Sequence, residues 1–181
     1  MRRWRSASER QRYRRAVGNF LQYPSPPDPQ KSAGPTLGSN TGKADVTRCA
    51  FIIDHALPPG LIANTAAALS MTLGKLRPDL VGCDLQDADG VGHPGITTIV
   101  MPILVSDADG LRVLRRQAAD REAEGLGVVG MTDIAQRAKS YDDYSRRLAA
   151  TRQEELRYLG LCLHGPAALV RSLTGSLPLL K

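Results

Sequence analysis

Apolar residues recur along this chain in short runs that alternate with amphipathic segments, and the first run is the clearest. Residues 49–53, CAFII, are apolar over the length of a covered strand. The polar pair Asp54 and His55 closes the run, and a tight turn follows. We therefore predict a buried strand over 49–53, with Asp54 and His55 at its end.

An amphipathic helix is predicted directly after this turn. A proline near a helix start loses no hydrogen bond, so we expect the helix to begin at about Pro59 or Gly60. Apolar residues then recur at a spacing of three or four and form one stripe. The stripe consists of Ile62, Ala66, Leu69 and Leu73.

The same alternation of strand and helix continues to the end of the chain. Further strands are predicted at 96–106, 126–130 and 156–163, with Pro102 indicating a bulge or an edge position. Helices are predicted after Asp107 or Asp109, after Thr132 through Thr151 with a break near 140–144, and from Ala167 to Ser172. The fold class is α/β, with a mixed sheet of about four strands that helices flank.

The net charge of +6 belongs to one end of the chain. Residues 1–45 carry nine basic and three acidic side chains, whereas the remaining residues carry 15 of each sign. The first segment is rich in Arg and then in Pro, Gly and Ser, a composition that does not bury enough apolar surface to fold. We predict a disordered extension over 1–45 and a single α/β domain over 46–181.

The three cysteines and the absence of long apolar runs limit the cellular setting and the partners that we expect for the protein. Cys49, Cys83 and Cys162 are odd in number and have no C-x-x-C spacing, which favours reduced thiols in a cytoplasmic protein. No run reaches the roughly 18 apolar residues of a membrane span. We expect no membrane partner.

Four sequence blocks together resemble a known bacterial family. They are IIDHALPPGLIANTAAAL, DADGVGHPGI, AQRAKSYDDY and YLGLCLHGPAALVRSLTGSL, in this order between residues 52 and 177. The blocks are similar to those of the domain-of-unknown-function family two thousand. The resemblance implies a compact fold like that of the archaeal and eukaryotic type of peptidyl-tRNA hydrolase, often assembled as a homodimer. Pro58, Pro59 and Gly60 stand where those hydrolases carry a lysine-bearing turn.

The end of the first strand is the candidate site. A strand end that meets a helix N-terminus is a common place for a small molecule or anion, and we assign Asp54, Gly60 and Asn64 to ligand binding there. His55 is a candidate general base. Adjacent residues on a strand point to opposite faces, which favours Asp54 as a turn-capping residue instead of a partner of His55. Asn64 either ties the turn to the helix or presents its amide to a ligand.

A second polar cluster lies in the predicted long connection after the first helix. Asp84, Asp87, Asp89 and His93 include the start of a calcium-loop pattern, but Val91 occupies the next ligand position. We therefore expect a turn in which Asp side chains bond to the backbone and Gly90 has positive φ, with no metal and no cofactor. His93 is a second catalytic candidate, and Asp87 a second ligand-binding one.

One further pair has a reactive alternative. Cys162 and His164 lie two residues apart and share a face of their predicted strand. A thiolate nucleophile needs a cleft and a stabilised charge, whereas the apolar neighbours Leu161 and Leu163 favour burial. We expect both side chains to be structural.

Two functions of different class are compatible with the sequence. In the first, the protein is a hydrolase- or transferase-like enzyme that acts on an acyl, aminoacyl or nucleotide-linked substrate at the strand-to-helix junction. In the second, the same junction of a non-catalytic domain binds a small molecule or a protein partner. A tRNA substrate would favour a basic surface, and the balanced charge of residues 46–181 does not supply one by composition.

Overall fold

The computed structural model describes residues 47–181. The predicted extension over 1–45 lies outside the described residues. The described residues form six strands: β1 (Thr47–Asp54), β2 (Leu85–Gln86), β3 (Gly92–His93), β4 (Ile103–Ser106), β5 (Gly127–Thr132) and β6 (Tyr158–Pro166). Over the same part of the chain there are five α-helices: α1 (Pro59–Leu76), α2 (Ala108–Ala119), α3 (Asp133–Arg137), α4 (Tyr141–Ala149) and α5 (Ala167–Thr174).

Four of these strands form one mixed sheet in the order β4-β1-β6-β5. Strand β1 is parallel to β4 and antiparallel to β6, and β5 is antiparallel to β6. The two central strands are the longest and carry the most apolar runs, so both of their faces can be covered. The predicted α/β class with a four-stranded mixed sheet is confirmed.

The two faces of the sheet have separate cores. Cys49 and Phe51 of β1 pack with Leu69 and Leu73 of α1 on one face. Alternate residues of the same strand point the other way, where helices α2 and α5 cover the sheet. That second core contains Ala50, Ile52, Leu104, Leu111, Leu114, Ala118, Leu126, Tyr158, Leu161, Leu163 and Val170.

Helix α1 approaches the sheet closely at a glycine. A Cβ atom on Gly160 of β6 would lie 2.7 Å from Cγ2 of Thr65 and 3.1 Å from the carbonyl oxygen of Ile52. Thr65 is fully buried, and its hydroxyl has no hydrogen-bond partner among the described residues. Gly160 therefore lets α1 lie against the end of β1, where the candidate site is.

Two predicted helix starts are confirmed by their caps. The Asp107 carboxylate accepts a hydrogen bond from the backbone N–H of Gly110 at 2.7 Å. Thr132 caps α3 in the same way. The stretch predicted to run from Thr132 to Thr151 breaks at 138–140, slightly before the expected position, and Ser140 caps α4.

The strand predicted over 96–106 was wrong in its first part, since β4 begins only at Ile103. Ile96 and Val100 are 79% and 80% exposed, so their apolar character does not report burial here. Pro102 has no N–H and stands just before β4, at the sheet edge that its presence indicated. The chain end returns beside this strand, where Leu180 donates its N–H to the carbonyl oxygen of Ile103.

Candidate functional site

Three strands of the sheet finish at the same end of it. Strands β1, β4 and β5 have their carboxyl ends there because they run in the same direction, and β6 begins there because it is antiparallel to them. Helices α1, α2 and α3 start from this end of the sheet. Six side chains or backbone groups form what we call the strand-end site: Asp54, His55, Asn64, Ser106, Gln136 and Arg157.

The imidazole of His55 is held by the backbone of the neighbouring strand. Its Nδ1 lies 2.9 Å from the carbonyl oxygen of Ser106, and the same oxygen accepts the backbone N–H of His55 at 3.0 Å. A carbonyl oxygen only accepts hydrogen bonds, so Nδ1 carries the proton. In the neutral ring, Nε2 is then left with a free lone pair on an exposed side chain.

Asp54 is buried beneath this histidine, with 1% of its surface exposed. Its Oδ1 accepts the backbone N–H of Ala56 at 2.9 Å, which is the turn-capping contact expected from the sequence. Its Oδ2 accepts from Nη2 of Arg157 at 3.3 Å. No hydrogen bond joins the Asp54 carboxylate to the His55 ring, as the alternation of strand residues predicts.

Arg157 is a site residue that the sequence analysis missed. It stands just before β6, and its backbone carbonyl accepts the N–H of Asp133 at 3.0 Å, which connects β6 to the start of α3. The only signal in the sequence for this role of Arg157 is its positive charge directly before a buried strand. Such a position is usually solvated, and only the fold places it beside Asp54.

Asn64 makes a contact that neither alternative had included. Its Nδ2 donates to Oε1 of Gln136 at 3.0 Å, so the two amides connect α1 to α3 across the site. Both side chains retain a further donor or acceptor for another molecule. Gly60 lies exposed in the first turn of α1, and nothing lies within 4 Å of the position that a Cβ atom would take.

The N-terminus of α1 differs from those of α2 and α3. Pro58 occupies its cap position, no side chain caps it, and its first turn has no acidic residue. Pro58 and Pro59 have no N–H, and the N–H groups of Leu61 and Ile62 donate to the carbonyl oxygen of Pro58. The N–H of Gly60 is therefore the donor that this turn leaves at the positive end of the helix dipole. This end of α1 can therefore stabilise negative charge on a group bound near His55.

His93 and Asp87 lie together in the β2–β3 hairpin. His93 Nε2 is 3.0 Å from Asp87 Oδ2, and this hydrogen bond holds the pKa of the Asp87 carboxyl below its usual value. Asp87 also accepts the backbone N–H groups of Asp89 and Val91, and Gly90 has φ of 78°. The expected turn is confirmed. No hydrogen bond connects His93 or Asp87 to the strand-end site, so the structure does not bring the two predicted clusters together.

Metal-ligating side chains do not gather elsewhere in the part of the chain that the structure describes. Within residues 47–181, no group of three or more His, Cys, Asp or Glu side chains has an arrangement that could hold a metal ion. The hairpin pair of His93 and Asp87 supplies only two such ligands.

Cys162 and His164 lie on β6 among apolar groups. Cys162 is fully buried, and burial raises the pKa of its thiol far above the usual value. A thiolate is thus disfavoured, in agreement with the structural role expected from Leu161 and Leu163. Burial also lowers the pKa of His164, and the positive charge of Arg77 contributes in the same direction.

The lowered pKa of His164 predicts a pH-dependent stability. Its neutral form is favoured in the folded state, so the stabilisation is complete above the unfolded pKa of about 6.5 and is lost as the pH falls below it. We expect urea unfolding to show a larger loss of stability between pH 7.5 and pH 5.5 for the wild type than for His164→Gln. Equal losses in the two proteins would contradict this assignment, because His55 and His93 are present in both.

The comparisons with known proteins agree with this fold. The family model described as "Protein of unknown function (DUF2000)" matches residues 47–181. The chain belongs to this family. A similar solved structure is that of the protein of unknown function Atu0240 from Agrobacterium tumefaciens strain C58, with a TM-score of 0.69 and 14% identity. The match covers 75% of this chain and 98% of that one, and at this identity it concerns the fold alone.

Other comparisons add little to the DUF2000 assignment. Among the curated proteins, none matches this chain. Within residues 47–181, no helix has the length and apolar character that crossing a membrane requires. The residues of the strand-end site are therefore the basis for a functional hypothesis.

Proposed function

We propose that this DUF2000 protein is a hydrolase- or transferase-like enzyme that acts on an acyl or aminoacyl ester at the strand-end site. The observation that carries the proposal is the hydrogen bond between His55 Nδ1 and the Ser106 carbonyl oxygen, 2.9 Å long. It orients the ring and assigns the proton to Nδ1. His55 Nε2 is then an exposed, oriented base, which is what general-base catalysis needs near neutral pH.

The chemistry follows from the groups around Nε2. Nε2 takes a proton from a water molecule while the water oxygen bonds to the ester carbonyl carbon. The carbonyl oxygen becomes negative and is stabilised by the N–H of Gly60 at the uncapped start of α1. As the tetrahedral centre collapses, the imidazolium returns the proton to the leaving alkoxide, which departs as an alcohol. In transfer, another hydroxyl replaces the water.

The remaining groups of the site position these partners. The amides of Asn64 and Gln136 are joined to each other at 3.0 Å and offer further donors and acceptors to the substrate. The buried Asp54 holds the turn that carries His55 through its contacts with Ala56 and Arg157. Positioning of this kind accounts for a large part of catalysis, because it removes orientational freedom before the reaction.

A small ester is favoured over tRNA as the substrate. Residues 46–181 carry 15 basic and 15 acidic side chains, without the excess of positive charge that binding to phosphate backbones favours. We also propose that the fold is related to that of peptidyl-tRNA hydrolases, as the resemblance of the sequence blocks implies. Pro58, Pro59 and Gly60 replace the lysine-bearing turn of those enzymes, so an imidazole takes the place of an ammonium group.

A non-catalytic binding domain is the second candidate. It is favoured by the engagement of Asp54, whose carboxylate contacts Ala56 and Arg157 and not the ring of His55. His55 thus has no carboxylate beside its ring to stabilise the imidazolium that forms when the ring accepts a proton. A histidine that only forms a hydrogen bond with a ligand does not need such a carboxylate. In this case the site binds the same acyl compounds and releases them unchanged.

The test is a panel of small acyl and aminoacyl esters incubated with the full chain between pH 5 and pH 9. We expect hydrolysis above the buffer rate, rising with pH and then levelling off, as for a general base that acts in its neutral form. A rate that never exceeds that of buffer would overturn the enzymatic proposal. Thermal stabilisation by an ester without turnover would support the binding domain instead.

A further inference from the structure

A cavity of about 340 Å³ lies between α2 and a short 3-10 helix at Gln153–Glu155. Its volume is within the range of small-molecule sites. Three of its lining residues are arginines that occupy neighbouring turns of α2. The complete lining is Arg112, Arg115, Arg116, Gln153, Glu154 and Tyr158, and we call it the arginine cavity.

The three guanidinium groups are incompletely neutralised. Arg112 contacts Asp109 at 3.0 Å, but Arg115 lies 3.8 Å from Glu122, which is too long for a hydrogen bond. Arg115 Nη1 is buried and has no hydrogen-bond partner within residues 47–181. Arg116 forms no ion pair with any other residue of 47–181. An anion in the cavity would compensate the positive charge of the guanidinium groups that line it.

The other lining residues add hydrogen-bonding and apolar surface. Gln153 offers both donor and acceptor atoms, and Tyr158 offers a phenol group and part of an aromatic ring. Glu154 supplies the one negative charge of the lining, and it already contacts Arg152 at 3.4 Å. The lining thus has three positive charges against one negative charge, although residues 46–181 as a whole carry equal numbers of basic and acidic side chains.

We propose that the arginine cavity binds a phosphate-bearing small molecule. The planar guanidinium group donates two parallel hydrogen bonds to phosphate oxygens, which makes clustered arginines effective receptors for this group. The volume beyond the phosphate accommodates an organic body beside Tyr158 and Gln153. The site involves none of the residues assigned to ester hydrolysis.

The experiment is calorimetric titration of the full chain with inorganic phosphate, at constant ionic strength set by chloride. We expect saturable binding with one site per chain. Arg116→Gln should raise the Kd about tenfold, or about 1.4 kcal/mol, because it removes one charge-assisted hydrogen bond to the phosphate. Arg115→Gln should have a similar effect, and Arg116, which is exposed, provides the variant that does not depend on buried packing.

The matched control is Arg146→Gln, which removes the same charge from an 80% exposed side chain on α4. We expect its Kd to stay within about twofold of the wild-type value, because an exposed charge outside the cavity acts only through screened electrostatics. The proposal would be overturned by an absence of saturable binding or by equal weakening in Arg146→Gln and Arg116→Gln. His55→Gln should leave phosphate binding unchanged, so failure here is separate from failure of the ester hydrolysis proposal.

Discussion

Replacing His55 with glutamine should lower the rate of ester hydrolysis about a hundredfold to ten-thousandfold, which is the usual contribution of a general base. Glutamine keeps hydrogen-bonding atoms at a similar reach, but it cannot take a proton from water. Because the His55 side chain is exposed, the variant should unfold within about 0.5 kcal/mol of the wild type. Initial rates on the best ester of the panel, together with urea unfolding, measure both quantities.

The matched control is His93→Gln, in the β2–β3 hairpin. His93 contacts Asp87 there and makes no hydrogen bond to the strand-end site. We expect its hydrolysis rate to equal that of the wild type. A His55→Gln variant with unchanged turnover would contradict the role of His55, and a large loss in His93→Gln would show that the hairpin takes part in the reaction.

Replacing Asp54 with alanine should reduce the free energy of unfolding by about 2–4 kcal/mol, the largest stability effect expected at the site. The carboxylate is 1% exposed and accepts from both Ala56 and Arg157. Alanine would leave the backbone N–H of Ala56 without its partner and a cavity beside it. Arg157, whose side chain is half-exposed, can turn toward water, which limits the loss. Chemical denaturation measures the change.

Asparagine at position 54 separates the two contacts of this carboxylate. Asp54→Asn retains an oxygen for the N–H of Ala56 and removes the negative charge that faces Arg157. We expect it to lose about 1–2 kcal/mol, and Arg157→Ala to lose no more, since its partner pair is partly solvated. If Asp54→Ala were as stable as the wild type, the buried carboxylate would not be what holds the turn.

The strand and helix order was predictable because the apolar pattern is strong where both sheet faces are covered. Residues 49–53 and 156–163 are nearly continuous apolar runs, and they fall in the two central strands β1 and β6. Helix starts were predictable from local chemistry, since Asp107 and Thr132 accept backbone N–H groups within their own turns. These signals act over three or four residues and do not depend on the rest of the fold.

The segment before β4 was not predictable from the same signals. Ile96 and Val100 have strand-like side chains, but they are exposed, and this segment pairs instead through Thr97 with Val81. Apolar character indicates burial only when a second layer covers it. The strand prediction was wrong here because Ile96 and Val100 belong to a connection in which their apolar side chains are not covered by a second layer.

The site was predictable in its local contacts and not in its long-range ones. The cap from Asp54 to Ala56 spans two residues and follows from turn chemistry. The contact of Asp54 with Arg157 spans 103 residues, and that of Asn64 with Gln136 spans 72. Such pairs depend on which strands become neighbours, which a single sequence does not specify through its periodicity.

The proton position on His55 is the most direct test of the strand-end site. Nitrogen-15 NMR of the imidazole rings at neutral pH distinguishes the two tautomers, and His55→Gln assigns the His55 signals by their loss. The contact with the Ser106 carbonyl oxygen predicts that Nδ1 carries the proton and that Nε2 shows the shift of an unprotonated nitrogen. A ring protonated at Nε2, with a bare Nδ1, would contradict the oriented base on which the proposed function rests.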